Sequence, residues 1–191
     1  MNILSTGSGT VRHKHADRGY DLYETPPIAV EALLKNVHIT KAEPVIEPCC
    51  GRGAISKVLI NHGYMVYSSD INPEWPGAET EDFLTRREPL RGVYPTIITN
   101  PPYKHAQAFV EKSLALGAAR VFMLLRLAFL ESERRSNILD GGNLVAVYPF
   151  KRRLPMMHRD GWTGNKASSA IPFAWFEWGA VKRTQTVMRR I

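Results

Sequence analysis

Cysteine is nearly absent: the chain has two in 191 residues, adjacent at 49 and 50, so they cannot staple distant segments. A disulfide framework is excluded, and such sparse usage suits a reducing compartment. No apolar run approaches the roughly 18 residues a bilayer span needs, and Met1 to Gly7 lacks the basic-then-apolar layout of a secretory leader. A cytoplasmic protein with no membrane partner is expected. The histidines at 13, 15, 38, 62, 105 and 158 form no spaced Cys/His set, so no metal is expected either.

What is present is an ordinary globular composition, 44% hydrophobic and 23% charged, with a net charge of +7. The charge is unevenly placed. Residues 1–100 carry 10 basic and 12 acidic side chains (−2), and residues 101–191 carry 15 and 6 (+9). A basic surface confined to one half suits a polyanion such as nucleic acid, the plainer alternative being a solvated basic face.

Residues 1–20 have no apolar periodicity and read as a flexible arm, with 21–191 as one domain. Thr25-Pro26-Pro27 reads as a helix start, Thr25 as N-cap and Pro26 at the first helical position. Pro44 to Pro48 is a short apolar strand running into Cys49-Cys50-Gly51-Arg52-Gly53, with a helix after it marked by Ile55, Val58 and Leu59. A second strand, 65–70, ends on Asp70. A third, 93–99, runs into Asn100-Pro101-Pro102-Tyr103. Helical spacing returns over 106–116, a buried strand over 121–125, a helix over 129–139, and strands over 143–148 and 174–178. Such alternation predicts an α/β fold with a mostly parallel sheet covered on both faces.

The glycines at 51 and 53 let the backbone approach a bound molecule, but the GxGxxG spacing of a pyrophosphate site is missing. Glu47 would repel a phosphate and welcome a cation; a tight turn without a ligand is the plainer reading. Asp70, followed by Ile71, stands where doubly wound sheets place a ribose-binding acid, though turn residues are also found there. Asp82-Phe83 suits an adenine by an amino-group hydrogen bond and ring contact. Together these describe a nucleoside pocket without a phosphate site.

Asn100-Pro101-Pro102-Tyr103 is the most specific stretch. Two prolines remove donors and leave carbonyls that only accept. With the Asn100 side-chain oxygen and the Pro101 carbonyl as acceptors, both hydrogens of an NH₂ group are held and its lone pair is turned out of plane. Tyr103 suits stacking on the planar carrier.

At these residues the chain resembles the class I S-adenosylmethionine-dependent methyltransferases, specifically the adenine-N6 DNA methyltransferases with an Asn-Pro-Pro-Tyr motif. Tyr23-Glu24-Thr25-Pro26-Pro27 is similar to the cofactor-side motif that precedes the Gly-rich motif in the family's γ order, Glu47 to Gly53 to the Gly-rich motif itself. The resemblance covers roughly residues 20–180 and is nearest to small phage or prophage forms. It implies a Rossmann-like seven-stranded sheet with an antiparallel last strand and S-adenosyl-L-methionine held by Tyr23, Thr25, Pro26, Glu47, Pro48, Cys49, Gly51, Gly53, Asp70, Ile71, Asp82, Phe83 and Asn100. It further implies a flipped adenine held by Asn100, Pro101, Pro102 and Tyr103, with direct attack of N6 on the methyl group. The same motif serves methyltransferases acting on RNA adenine or protein glutamine; a nucleic-acid-binding protein retaining the fold is the non-enzymatic alternative. No segment is long enough for a separate target-recognition domain. Lys104, Lys151, Arg152, Arg153, Arg159 and Lys166 are candidate nucleic-acid contacts, with Trp162 a wedge, a stacking ring or a buried anchor. A homodimer is one way such a short chain widens its footprint.

Overall fold

The computed structural model describes residues 24–156 and 171–191. Tyr23, Arg159, Trp162 and Lys166 lie outside them. Eight strands form one sheet: β1 (Val45–Glu47), β2 (Val66–Asp70), β3 (Glu79–Thr80), β4 (Thr96–Thr99), β5 (Arg120–Arg126), β6 (Leu144–Pro149), β7 (Phe173–Gly179) and β8 (Val187–Met188). Their order is β3-β2-β1-β4-β5-β7-β6-β8, with β7 antiparallel to both its neighbours and the remaining pairings parallel. The expected parallel sheet with an antiparallel strand is present. The eighth strand is an addition, two exposed residues pairing with β6 at the edge.

Alternation along the central strands builds two cores. On β5, Phe122 and Leu124 face a layer with α1 (Pro27–Asn36) and α2 (Ala54–Asn61), while Val121, Met123 and Leu125 face a layer with α3 (Ala106–Ala115) and α4 (Ser136–Leu139). On β7 the same period sends Trp175 to the first layer and Trp178 to the second. Each indole N–H donates to a helix-layer carbonyl, Trp175 to Ala29 and Trp178 to Ile138, both at 2.8 Å.

Two local expectations fail for identifiable reasons. Pro26, not Thr25, is the N-cap of α1 and Pro27 takes the first helical position; the Thr25 hydroxyl accepts a hydrogen bond from Asn100, 75 residues away, instead. The helix expected over 129–139 is broken into a 3₁₀ turn at Leu127–Leu130, an extended Ser132, a second 3₁₀ turn at Glu133–Arg135, and α4. The break lets Phe129 and Ile138 both reach the second core, where Phe129 meets Phe176 and Trp178 edge-on.

At the amino end of β5 the buried Glu177 carboxylate accepts from Arg120 Nε and Nη2 at 2.9 and 2.8 Å and from the Tyr148 hydroxyl at 2.6 Å. Burial and the Glu177 carboxylate together push the Tyr148 hydroxyl pKa up, which keeps it a donor. Removing one member strands the others' charge or donors, so Glu177→Ala is expected to cost about 3 kcal/mol in denaturant unfolding, and Glu177→Gln clearly less.

Candidate functional site

Because β1, β2, β4, β5 and β6 share one direction, their carboxyl ends meet along one rim. Across the sheet, that rim carries Asp70 at the end of β2, Glu47 at the end of β1, Asn100 after β4, Arg126 at the end of β5 and Lys151-Arg152-Arg153 after β6. Of these groups the carboxyls lie on one side and the bases on the other, with an amide between. The rim of an open α/β sheet is also where such folds bind ligands.

On the acidic side, the Gly-rich turn is closed by Asp70, whose Oδ2 accepts from the Gly51 N–H and Oδ1 from the Asn72 N–H, both at 2.9 Å. Asp70 therefore does serve the turn, and each oxygen keeps a further lone pair. Gly51 and Gly53 have φ of 48° and 76°, which a side chain rarely adopts. At Gly53 there is a second reason: a Cβ there would lie 2.1 Å from the Trp75 ring, which packs on the turn. Glu74 fastens the same loop through its N–H to Gly51 O and its carboxylate to Arg52.

Glu47 is buried and accepts a hydrogen bond from the Ser56 hydroxyl on α2. Burial raises its pKa to about 8 against the lowering effect of Ser56, with the Asp70 charge adding to the rise. Burial likewise pushes Cys50 up to about 12, with help from Glu47 and Asp70, and Cys49 further still. Both thiols stay protonated, so neither is a nucleophile here. Pro48 is buried beneath the turn.

Ile71 projects at the rim, 61% exposed, a large apolar side chain beside Asp70. Asp82 is exposed and accepts from the Leu84 N–H at 3.0 Å. Phe83 departs from the expectation of a ring offered to a ligand: it is 2% exposed and stacks on Phe109 at 5.4 Å, so it anchors Asp82 from within the second core.

In the middle, Asn100 Nδ2 donates to Thr25 Oγ1 at 3.1 Å across 75 residues. Thr25 is buried, so this bond orients the amide with its oxygen away from the hydroxyl. Pro102's carbonyl accepts from the His105 N–H at 2.8 Å, opening the short turn Tyr103–His105. Tyr103 sits between the two cores, its ring 6.0 Å from Phe173 and covered by the Arg126 guanidinium at 4.8 Å. Neither Thr25 as an orienting group nor Arg126 as a stacking partner follows from the sequence; no local pattern encodes either contact. Pro26 abuts Thr25 at the start of α1.

On the basic side, Lys104, Lys151, Arg152 and Arg153 are exposed. A cavity of 190 Å³ lies elsewhere, on the flank of β2 between Tyr67, Trp75, Arg86 and Arg91, and takes in none of Glu47, Asp70 and Asn100. Among the described residues no group of His, Cys, Asp and Glu is arranged to hold a metal ion, and no helix is long and apolar enough to cross a membrane.

The fold is that of the class I methyltransferases. Similar solved structures include 23S rRNA methyltransferase ErmE, at 17% identity and TM-score 0.57, covering 86% of this chain and 71% of that one. A protein of Vibrio vulnificus described as the modification subunit of a putative type I restriction enzyme has 15% identity and TM-score 0.58, covering 93% of this chain and 48% of that one. Magnesium protoporphyrin IX methyltransferase of Synechocystis, solved with bound S-adenosylmethionine, has 18% identity and TM-score 0.50, over 80% and 76%. No protein-family model and no curated protein matches the chain.

The raised Glu47 pKa makes stability depend on pH. The folded state holds this proton more tightly than the unfolded one, so the contribution is fully present below about pH 4.5 and is lost as pH rises towards 8. The melting temperature of the wild type should therefore fall relative to Glu47→Gln between roughly pH 5 and 8, as read by calorimetry across that range.

Proposed function

We propose that the protein is an S-adenosyl-L-methionine-dependent methyltransferase that methylates the exocyclic N6 amine of adenine in DNA. The observation that carries this reading is the order of groups along the rim: two carboxyl groups, then an amide turn, then bases, in strand order. A cationic nucleoside suits the carboxylate side, a polyanion the other, and an amine is accepted between them.

The residues present fit the cofactor. Glu47 is a buried carboxyl with no basic partner among the described residues, Asp70 has lone pairs for two hydroxyls, and Ile71 offers an apolar contact. When bound, the cofactor supplies an electrophilic methyl group on a sulfonium. The protein does the rest. Glu47 gives up its proton when a positive charge is placed beside it, so cofactor affinity should weaken as pH falls below about 8. The turn of Gly51 and Gly53 brings main chain close to the ligand.

Asn100 Oδ1 and the Pro101 carbonyl accept the two amine hydrogens, which deprives the lone pair of conjugation with the ring and directs it at the methyl group. Both acceptors also stabilise the positive charge that develops on the nitrogen before it loses a proton. Thr25 holds the Asn100 amide in the orientation this requires, and Tyr103 stacks on the base. DNA is favoured by the order of motifs along the chain; RNA adenine is the second reading, favoured by the similarity to an rRNA methyltransferase.

Incubation with labelled cofactor and unmethylated DNA or RNA should place the label in N6-methyladenine, and label in neither polymer would overturn the reading. Asn100→Ala should abolish transfer while cofactor affinity stays within a few-fold. Thr25→Val should lower kcat about tenfold, the loss expected for one orienting hydrogen bond, with Thr25→Ser restoring most of it.

A further inference from the structure

Arg126 is the one partly buried arginine of the described residues whose guanidinium has neither a carboxylate nor a carbonyl. Arg86 pairs with Glu81 at 2.7 Å, Arg120 with Glu177 at 2.8 Å, and Arg135 donates to the Phe129 carbonyl at 2.9 Å. Arg126, by contrast, has a buried Nε with no hydrogen-bond partner among the described residues and no ion pair there. With Nε closed off from solvent, the Nη1 and Nη2 groups are the donors that an incoming acceptor can meet.

Its position says which acceptor. β5 runs three residues beyond Met123, the partner of Thr99 at the end of β4, so Arg126 stands roughly 10 Å past the last paired level. That brings it alongside the Asn-Pro-Pro-Tyr turn. There its guanidinium lies over the Tyr103 ring at 4.8 Å. A guanidinium over a ring can still offer its terminal N–H groups as a fork matched to two oxygens of one anion. Lys104, Lys151 and Arg152 are exposed on this side of the rim, with the acids Glu131 and Glu133 further along the segment that leaves β5, and Glu47 and Asp70 lie across the sheet beyond β4.

We propose that Arg126 is a phosphate-binding residue: its fork takes the phosphodiester next to the nucleotide whose base stacks on Tyr103. The site thus grips the base through the ring and its backbone through the cation on that ring. This rests on the reading of the protein as a nucleic-acid methyltransferase. The anion chemistry alone would also suit the carboxylate of the cofactor, and the experiment separates the two.

The test is equilibrium binding of a fluorescent adenine-containing oligonucleotide across a range of salt, for wild type, Arg126→Ala, Arg126→Met and Arg126→Lys, with cofactor affinity measured in parallel. Loss of one phosphate contact should weaken oligonucleotide binding about tenfold in the Ala and Met variants and make the slope of log K against log salt shallower by about 0.7 to 0.9. Arg126→Lys should recover the slope, because the charge remains, but not the full oligonucleotide affinity, because an ammonium does not stack on the ring. Cofactor affinity should stay within twofold, which also certifies folding.

An unchanged salt slope in both Arg126→Ala and Arg126→Met overturns the proposal, as does a loss confined to cofactor affinity, which would assign the fork to the carboxylate. Failure of the wild type to bind any oligonucleotide or methylate any nucleic acid defeats the underlying reading. Normal wild-type binding with unchanged variants defeats the phosphate site alone.

Discussion

The architecture depends on one strand. β7 carries a tryptophan to each face of the sheet, and each indole N–H is committed to a carbonyl of the layer it faces, Ala29 on one side and Ile138 on the other. Because side chains alternate along a strand, Trp175 and Trp178 can serve opposite layers only while the register with β5 and β6 is kept. A slip of one residue would exchange their faces and strand two indole donors in apolar surroundings. The antiparallel insertion of β7 between β5 and β6 is thus fixed by side chains as much as by its ladder.

From that register the arrangement of the rim follows. β5 is held in line with β4 on one side and β7 on the other, so Arg126 is carried beyond the Asn100 turn and over Tyr103 rather than into solvent. β6 places the 151–153 cluster further along the same edge. The excess of base in the second half of the sequence becomes a spatial feature of the rim because β5 and β6, which lead to Arg126 and the 151–153 cluster, lie on one side of β4, and β1 and β2, which end on Glu47 and Asp70, on the other.

Much of this is legible in the amino-acid sequence. Glycines at 51 and 53 announce a turn because few other residues suit their dihedrals, and strand-ending Asp70 and Asn100 are placed by simple alternation of apolar segments. What escapes is whatever depends on a distant partner. Thr25 before two prolines has every local mark of a helix cap, yet its hydroxyl is taken by Asn100. Phe83 next to an acid resembles a ligand contact, yet Phe109 claims it for the core. The residues from 129 to 139 have helical spacing, but the need to bring both Phe129 and Ile138 to Trp178 outweighs it. The pairing of Arg126 with Tyr103 joins two strand ends that no short stretch of sequence contains.

The neighbours of Glu47 also bear on self-damage. A thiolate is a far better acceptor for an electrophilic methyl group than an aryl amine, and this chain sets two thiols in the very turn where a sulfonium is proposed to lie. Burial, with the carboxyls of Glu47 and Asp70 nearby, keeps both as thiols. Burial of the turn, more than its acids, thereby spares the protein from becoming its own substrate.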